Sequence, residues 1–573
     1  MKRNFVWMLA TMLAMAACSE SPDDGPGNGN PNEYVGGKGF VNIGINLPTA
    51  PSTRAVSYDD GTEEEYKVND VIIALFYGSD AANATCRHAF KISGDDFKLS
   101  GNSTDNVTTY SVTGVRMISA PGEGEKVYAL ALVNAPSSIF SVTTATSGDN
   151  ENSGDAILST KLNFKETEYT QALSNLNEAI ANSNIGNGTD GFFMTNASIA
   201  IGGETPSSST AQTLAPITVY KDRSQAEGAA KFNPIYVERA AAKVTVKVNN
   251  GTTNDNTLTI DKEKYPHYAG ATVKFNGWYL QNTNNTFFPV RKVDGFDTWK
   301  TDSYKIGNTN RFVGQTNPYR IFWAVDPNYE STSGQKGNGL TSVTTVADDS
   351  WIAMANYGYC AENTTTAATM TGKALTSVLL KAQFTPKGGQ ANDNFFMLND
   401  INAIYTEADF LTWAKNTLAT AGQAATGELS IGTEFTTGKT ITTAEDVKKL
   451  VKSTEGSELS NEQANTLLEE SGNKIKFYKG GVTYYYAAVI KHFGEETPYE
   501  GNATTVQYEE SKHLGRFGVV RNAWYELNIN SVSGPGEPEI PETPVTPPDG
   551  KENYINCEIN ILSWAKRTQD VEL

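Results

Sequence analysis

The feature that most constrains the fold is a strict alternation near the C-terminus, where Tyr554–Leu573 reads YINCEINILSWAKRTQDVEL. Ile555, Cys557, Ile559 and Ile561 fall on every second residue with Asn556, Glu558 and Asn560 between them. An extended backbone therefore puts four apolar side chains on one face, the pattern of a half-buried strand. The stretch before it, residues 533–553, carries six prolines and several acids and can form neither a helix nor a central strand. As a stiff arm of about twenty residues at about 3 Å each it would reach roughly 60 Å, farther than a strand needs to rejoin its own domain. A strand on such an arm can pair with a neighbouring molecule.

The same alternation occurs at the other end. In residues 39–47, Val41, Ile43, Ile45 and Leu47 alternate with Asn42, Gly44 and Asn46. Soon afterwards comes Pro51-Ser52-Thr53-Arg54-Ala55, a small-residue stretch with one arginine, the kind of exposed site a trypsin-like protease cuts. The two ends suggest a single mechanism. A cut between Arg54 and Ala55 lets the first strand leave its sheet and opens an apolar groove, and the last strand of another copy has the periodicity to fill it. Such a chain polymerises by strand addition.

Composition narrows the alternatives. A chain of 573 residues holds two or three domains with developed cores. Its 39% hydrophobic content, fifty glycines and abundant Thr, Asn, Tyr and Val are those of a strand-rich secreted protein. With a net charge of −19 and no long Lys/Arg cluster, nucleic acid is excluded as a partner. Cys18, Cys86, Cys360 and Cys557 are scattered, with no CxxC pair, so Cys86, Cys360 and Cys557 read as buried or half-buried free thiols rather than as a disulfide framework or zinc site. His88, His267, His492 and His513 lie far apart without ligand spacing and read as surface or loop histidines. Asp59-Asp60 with Glu63-Glu64-Glu65, and Asp348-Asp349, could bind calcium but fit solvated acidic loops better. Carboxylate pairs such as Glu495-Glu496 are too common to indicate glycosidase chemistry. Tyr484–Tyr486 and Trp524 could stack on a sugar, although aromatics on alternating strands normally face a core. No nucleophile, phosphate-binding or dinucleotide motif is present, so no catalytic residue, metal or cofactor is assigned and the chain reads as a non-enzyme.

Along the chain, short strand signals at residues 71–77 (VIIALFY), 97–99, 107–115 and 126–134 are separated by Gly, Asp and Asn turns, the rhythm of a β-sandwich. Tyr169, Leu173, Leu176 and Ile180 in residues 167–182 break that rhythm with helical spacing and predict one covering helix. Small polar residues over 228–234 mark a domain boundary before IYVERAAAKVTVKVNN, and further strands follow at residues 271–280, 320–324, 375–384, 482–490 and 523–529. Helices are predicted within residues 400–420, from Ile404, Phe410, Leu411 and Trp413, and within 443–452 and 460–470, from Ser/Thr starts and Glu-rich first turns, as insertions decorating a sandwich surface, with a loop and short hairpin over 421–439.

At the N-terminus, Lys2 and Arg3 precede an apolar run, Phe5–Ala17, that is too short to span a membrane, and no later segment has eighteen consecutive apolar residues. Ala16-Ala17-Cys18 resembles the lipobox of a bacterial lipoprotein, with Met15 where Leu or Val is usual, and implies lipidation of Cys18. The acidic Ser19–Asp24 and the Gly/Asn/Pro run to Asn32 resemble the surface-export signals of Bacteroidetes outer-membrane lipoproteins.

Further pieces recur in one order: VERAAAKV at 237–244, YCAENT at 359–364, VLLKAQFTP at 378–386, GVTYYY at 481–486, VRNAWY at 520–525, ILSW at 561–564 and the closing VEL. Together with the sites at Cys18 and Arg54, the chain resembles the fimbrillins of Bacteroidia, the type V pilus subunits, and most of all the short-fimbria (Mfa-like) major-subunit branch. The resemblance implies a mainly β fold of two transthyretin-like β-sandwich domains with a few helical insertions and a C-terminal donor strand. It divides the chain into a signal peptide (1–17), an acidic tether (18–38), an N-terminal strand removed on maturation (39–54), sandwich domains at 55–234 and 235–532, a Pro-rich arm (533–553) and a donor strand (554–573). The function implied is that of a stalk subunit of cell-surface fimbriae in adhesion and biofilm formation, its precursor anchored to the outer membrane by lipid. Its implied partners are further copies of itself, anchor and accessory subunits, an arginine-specific protease, and a host or bacterial receptor. An accessory or tip adhesin and a monomeric glycan-binding surface lipoprotein are the competing readings.

Overall fold

A computed structural model describes residues 34, 37–46, 65, 67–93, 97–99, 109–112, 115–143, 156–159, 171–173, 177–187, 191–228, 233–250, 255–315, 318–330, 339–399, 403–453, 458–549, 556–563 and 565–572. Strands dominate, and the fold is mainly β. The strand Asp70–Gly78 is apolar almost without interruption because it is covered on both faces. It pairs antiparallel with Thr85–Ser93 on one side and Lys126–Val133 on the other. From there a ten-stranded sheet continues through Met194–Asn196, Asn233–Arg239, Ile43–Asn46, Thr109–Val112 and Phe97–Leu99.

The second half carries two smaller sheets. Tyr357–Ala361, Ala241–Val248 and Ala523–Ser531 form one, which is extended by Asn556–Ser563 and Ala565–Glu572. Thr257–Thr259, Thr272–Gln281, Ser377–Thr385 and Val482–Val489 form the other. Val244, Val246, Phe275, Trp278, Leu380 and Tyr525 from the two sheets share one core. The alternation of valines in residues 244–248 therefore points at that core, while Lys247 on the opposite face reaches Glu526 at 2.6 Å. Core membership changes hands between Ala241 and Ala242. Asn233–Arg239 still belongs to the first sheet, so the composition break at 228–234 precedes the structural one.

The three helices predicted late in the chain form, with their Ser/Thr caps. Thr406 accepts from the Asp409 amide ahead of Glu407–Thr420, Thr443 from the Asp446 amide ahead of Ala444–Leu450, and Ser460 makes a reciprocal box with Gln463 ahead of Asn461–Glu470. They do more than decorate a sandwich. They close over a four-stranded sheet that includes Phe395–Leu398 and Ile475–Tyr478, and Phe396, Phe410, Leu418, Val447, Leu467 and Phe477 make a third core. The expected local hairpin over 421–439 does not form, because Leu429–Ile431 pairs with Val451–Ser453 and Lys439–Ile441 with Ile475–Tyr478.

Of the helix expected over 167–182, the described residues show helical backbone at Leu173 and strand pairing on either side of it. Gln171–Ala172 pairs with Thr85–Cys86, and Ile180–Ala181 with Thr286–Phe287. Backbone partners offered by neighbouring strands outweigh a weak helical preference.

Cys86 and Cys360 are free and buried, as the sequence reading of these thiols expected, and burial pushes each pKa up to about 12. Iodoacetamide at neutral pH should label neither in the folded protein and both once it is denatured, as read by mass spectrometry. Labelling of the native protein at either site would contradict this packing.

Candidate functional site at the two chain ends

Of the two N-terminal strands, Ile43–Asn46 lies inside a sheet, while Lys38–Val41 has a strand on one side and a single bridge on the other. Lys38–Val41 runs antiparallel to Arg116–Ser119, and on its other side Phe40 exchanges both backbone hydrogen bonds with Tyr220 at 2.8 Å each. After Asn42, Ile43–Asn46 sits between Asn233–Arg239, which is parallel to it, and Thr109–Val112, which is antiparallel. Val41 and Ile45 are fully buried and Ile43 nearly so, in the first core beside Ile235 and Val237. Asn42 is buried as well, and its Nδ2 donates to the Ala226 carbonyl at 3.2 Å. Leu47, Arg54, Ala55 and Cys18 lie outside the described residues.

Downstream of Arg54 the chain is pinned at Glu65. Its carboxylate takes Lys243 Nζ at 2.7 Å and the Tyr359 hydroxyl at 2.5 Å, and its carbonyl accepts from Arg239 Nε at 2.7 Å. Lys243 also lies 3.7 Å from the Tyr357 ring centroid and 4.2 Å from that of Trp524. Glu65 is thus not part of a solvated acidic loop. It is a buried ion-pair partner, and the sequence could not show this because Lys243 and Tyr359 are far away along the chain.

At the other end, Asn556–Ser563 pairs antiparallel with Ala523–Ser531 of its own chain, with Leu527 opposite Ile559 and Trp524 opposite Leu562. Ala565–Glu572 folds back antiparallel on it, and also pairs with Ala523–Ser531. Cys557, Ile559 and Ile561 are on the first of these strands, while Ile555 lies outside the described residues.

The Pro-rich arm is not the free tether that its composition predicts. Glu537 makes a two-way backbone bridge with Tyr484 at 2.8 Å each way. Tyr485 and Tyr478 donate their hydroxyls to the carbonyls of Gly534 and Gly536, at 3.0 and 2.7 Å. Glu539 accepts from the Thr440 amide at 2.7 Å, and Thr546 from the Gly372 amide at 2.9 Å. At the far end, Asp549 receives a two-pronged contact from Arg516 Nε and Nη2, both at 2.8 Å, and the Tyr508 hydroxyl at 2.7 Å. Burial alone would raise the Asp549 pKa. The Arg516 fork and the Tyr508 hydroxyl outweigh it and hold the carboxyl below its ordinary value. Prolines cannot donate, but their carbonyls and the intervening side chains can still be bound.

Compared with known protein families, residues 476–570 match the model of the C-terminal region of fimbrillin, the major fimbrial subunit protein type IV. That stretch is similar to the fimbrillin C-terminal region. It contains Val482–Val489, Ala523–Ser531, the strapped arm and most of the C-terminal hairpin. No curated protein sequence matches the chain. Among solved structures, a candidate cell adhesion protein of Parabacteroides distasonis aligns over 92% of this chain and 98% of its own, with 11% identity and a TM-score of 0.35. The tip fimbrial protein Mfa3 of Porphyromonas gingivalis, truncated at its C-terminus, aligns over 85% and 94% at 12% identity and 0.28. A fimbrial assembly protein of P. distasonis aligns over 61% and 86% at 10% identity and 0.25. Scores this low carry no functional weight.

Other residues singled out in this fimbrillin-like chain turn out to be structural. His492 is buried, its ring nitrogens 2.8 Å from the Tyr525 hydroxyl and 2.9 Å from the Phe322 carbonyl, and His513 is buried too, so neither is the surface histidine expected. Among the described residues, no group of three or more His, Cys, Asp or Glu could hold a metal ion. Asp348 is exposed and pairs with Lys381 at 2.7 Å. Tyr485 is in the second core, Trp524 is buried with its Nε1 donating to Thr245 Oγ1, and Tyr484 is half-buried against Trp351.

Lys243→Met strands a buried Glu65 carboxylate and should cost about 3–5 kcal/mol in urea unfolding. Adding Glu65→Gln, which removes the orphaned charge, should recover most of that loss. A Lys243→Met protein as stable as the unaltered one would show that the pair does not hold this segment.

Proposed function

We propose that this chain is a stalk subunit of a cell-surface fimbria that polymerises by strand exchange. In this reading it is exported with its Cys18 lipidated and the precursor is anchored at the outer membrane. An arginine-specific protease then cuts between Arg54 and Ala55. The released segment takes Val41, Ile43, Ile45 and Leu47 with it, and the strand bearing Ile555, Cys557, Ile559 and Ile561 of another copy enters the vacated slot. The two sandwich domains meet near residue 241, and the polymer, through accessory subunits and a surface receptor, serves adhesion and biofilm formation.

The observation that carries this reading is the two-sided pairing of Ile43–Asn46, with Lys38–Val41 before it paired on one side and bridged at Phe40 on the other. Removing a strand with partners on both sides exposes two rows of backbone donors and acceptors and an apolar floor, which an extended chain of matching period can refill. Glu65 supports it in a second way, since the pin keeps the remainder of the chain seated when everything before Ala55 departs. The donor strand already makes a backbone ladder with its own Ala523–Ser531, so its transfer exchanges one set of strand partners for another.

N-terminal sequencing of isolated fibres should begin at Ala55. Arg54→Ala should leave full-length monomer, and deleting residues 554–573 should abolish fibres while export continues. Fibres that retain residues 41–47, or that form without the C-terminal strand, would refute the exchange.

A further inference from the structure

The Pro-rich segment lies in a track shaped for it. Along its path the body offers the Tyr485 and Tyr478 hydroxyls, then the Tyr484, Thr440 and Gly372 amides. Two glycines of the body let it come close. A Cβ at Gly438 would stand 2.6 Å from the Pro538 carbonyl oxygen, and one at Gly372 would stand 2.6 Å from that of Pro544. The track ends at the Asp549 clamp, where the Arg516 side chain is almost fully buried and its Nη1 is also held by the Gly494 and Thr497 carbonyls at 2.7 Å each. The guanidinium is therefore fixed by the body before Asp549 arrives.

We infer that Asp549, Arg516 and Tyr508 form a positioning clamp that sets the point at which the C-terminal hairpin leaves the body, and thereby the placement of one subunit against the next. The inference rests on the strand-exchange reading above. With the clamp closed, only the six residues 550–555 separate the last anchor from the strand Asn556–Ser563. They span at most about 20 Å. If all the contacts of residues 546–549 let go, Glu539 becomes the last anchor and the leash grows to the sixteen residues 540–555. Effective concentration falls as about the −3/2 power of linker length, so the strand would meet a fixed neighbour about fourfold less often, and the joint would gain freedom to bend.

The test compares Asp549→Ala, Asp549→Asn and Gly372→Ala in the full-length, protease-treated protein. Before polymerisation, hydrogen exchange of the amide-bearing peptide around Gly372 reports the strap. It should speed up at least about tenfold in Asp549→Ala and much less in Asp549→Asn, which keeps an acceptor for Arg516. For Gly372→Ala, which pushes the strap away without touching the charges, exchange at the Tyr484 and Thr440 amides is the readout and should rise as well. Fibres of Asp549→Ala and Gly372→Ala, imaged by electron microscopy, should form more slowly and bend with a several-fold shorter persistence length. Unchanged exchange at Gly372 in Asp549→Ala, or a freed strap with fibres as stiff as the unaltered ones, overturns the clamp while leaving strand exchange intact. If the unaltered protein forms no fibres at all, the strand-exchange reading falls first and the joint with it.

Discussion

Backbone hydrogen bonds on both sides of Ile43–Asn46 are the constraint on which the first half of the molecule depends. A strand in the interior of a sheet satisfies its own amides and carbonyls and one edge of each neighbour at the same time. Here the neighbours, Asn233–Arg239 and Thr109–Val112, come from distant parts of the chain and, among the described residues, have no other ladder joining them at that position. The strand is a bridge between two pieces of sheet, with Ile43 and Ile45 completing the core beneath. Losing it would leave the facing edges of both neighbours without their backbone partners.

Around that slot the rest of the chain is held by buried charges. Glu65 with Lys243, Glu238 with Arg291, and Glu362 with Arg521 are all within ion-pair distance and almost wholly removed from water. Arg521 also donates to the carbonyls of Phe288 and Pro289, and Arg291 to those of Ile321 and Arg521, so the segment around residues 288–291 is stitched to both sides of the second half. Buried pairs of this kind add little net stability, but breaking one leaves an uncompensated charge, so they discriminate strongly between the right arrangement and any other.

The C-terminal region shows the same economy. The segment 476–570, similar to the fimbrillin C-terminal region, runs from a sheet strand through the strap to the hairpin, so one continuous stretch supplies part of the surface, the strap laid on it and the hairpin that follows. Tyr478, Tyr484 and Tyr485 bond the start of the strap, and Arg516 and Tyr508 its end.

Much was legible in the residues themselves. Period-two alternation in residues 39–47 and 555–561, continuous apolar runs such as VIIALFY, and the Ser/Thr caps at Thr443 and Ser460 are local signals, and local signals survive folding because they depend on neighbours two to four residues away. The mainly β class and the place of the helices followed from them. What alternation could not say is where each strand goes, and Gln171–Ala172 and Ile180–Ala181, on either side of the helical Leu173, took strand partners that lay elsewhere in the chain. Composition also misled at the arm. Six prolines dictate an extended backbone, but whether an extended backbone floats or lies in a track depends on Arg516, Tyr508 and Gly372, which only the tertiary structure brings beside it. The sequence by itself determined the conformation of each end of this protein. Tertiary structure decided what each end is held by, because hydrogen-bond partners and buried charges are chosen in space and not along the chain.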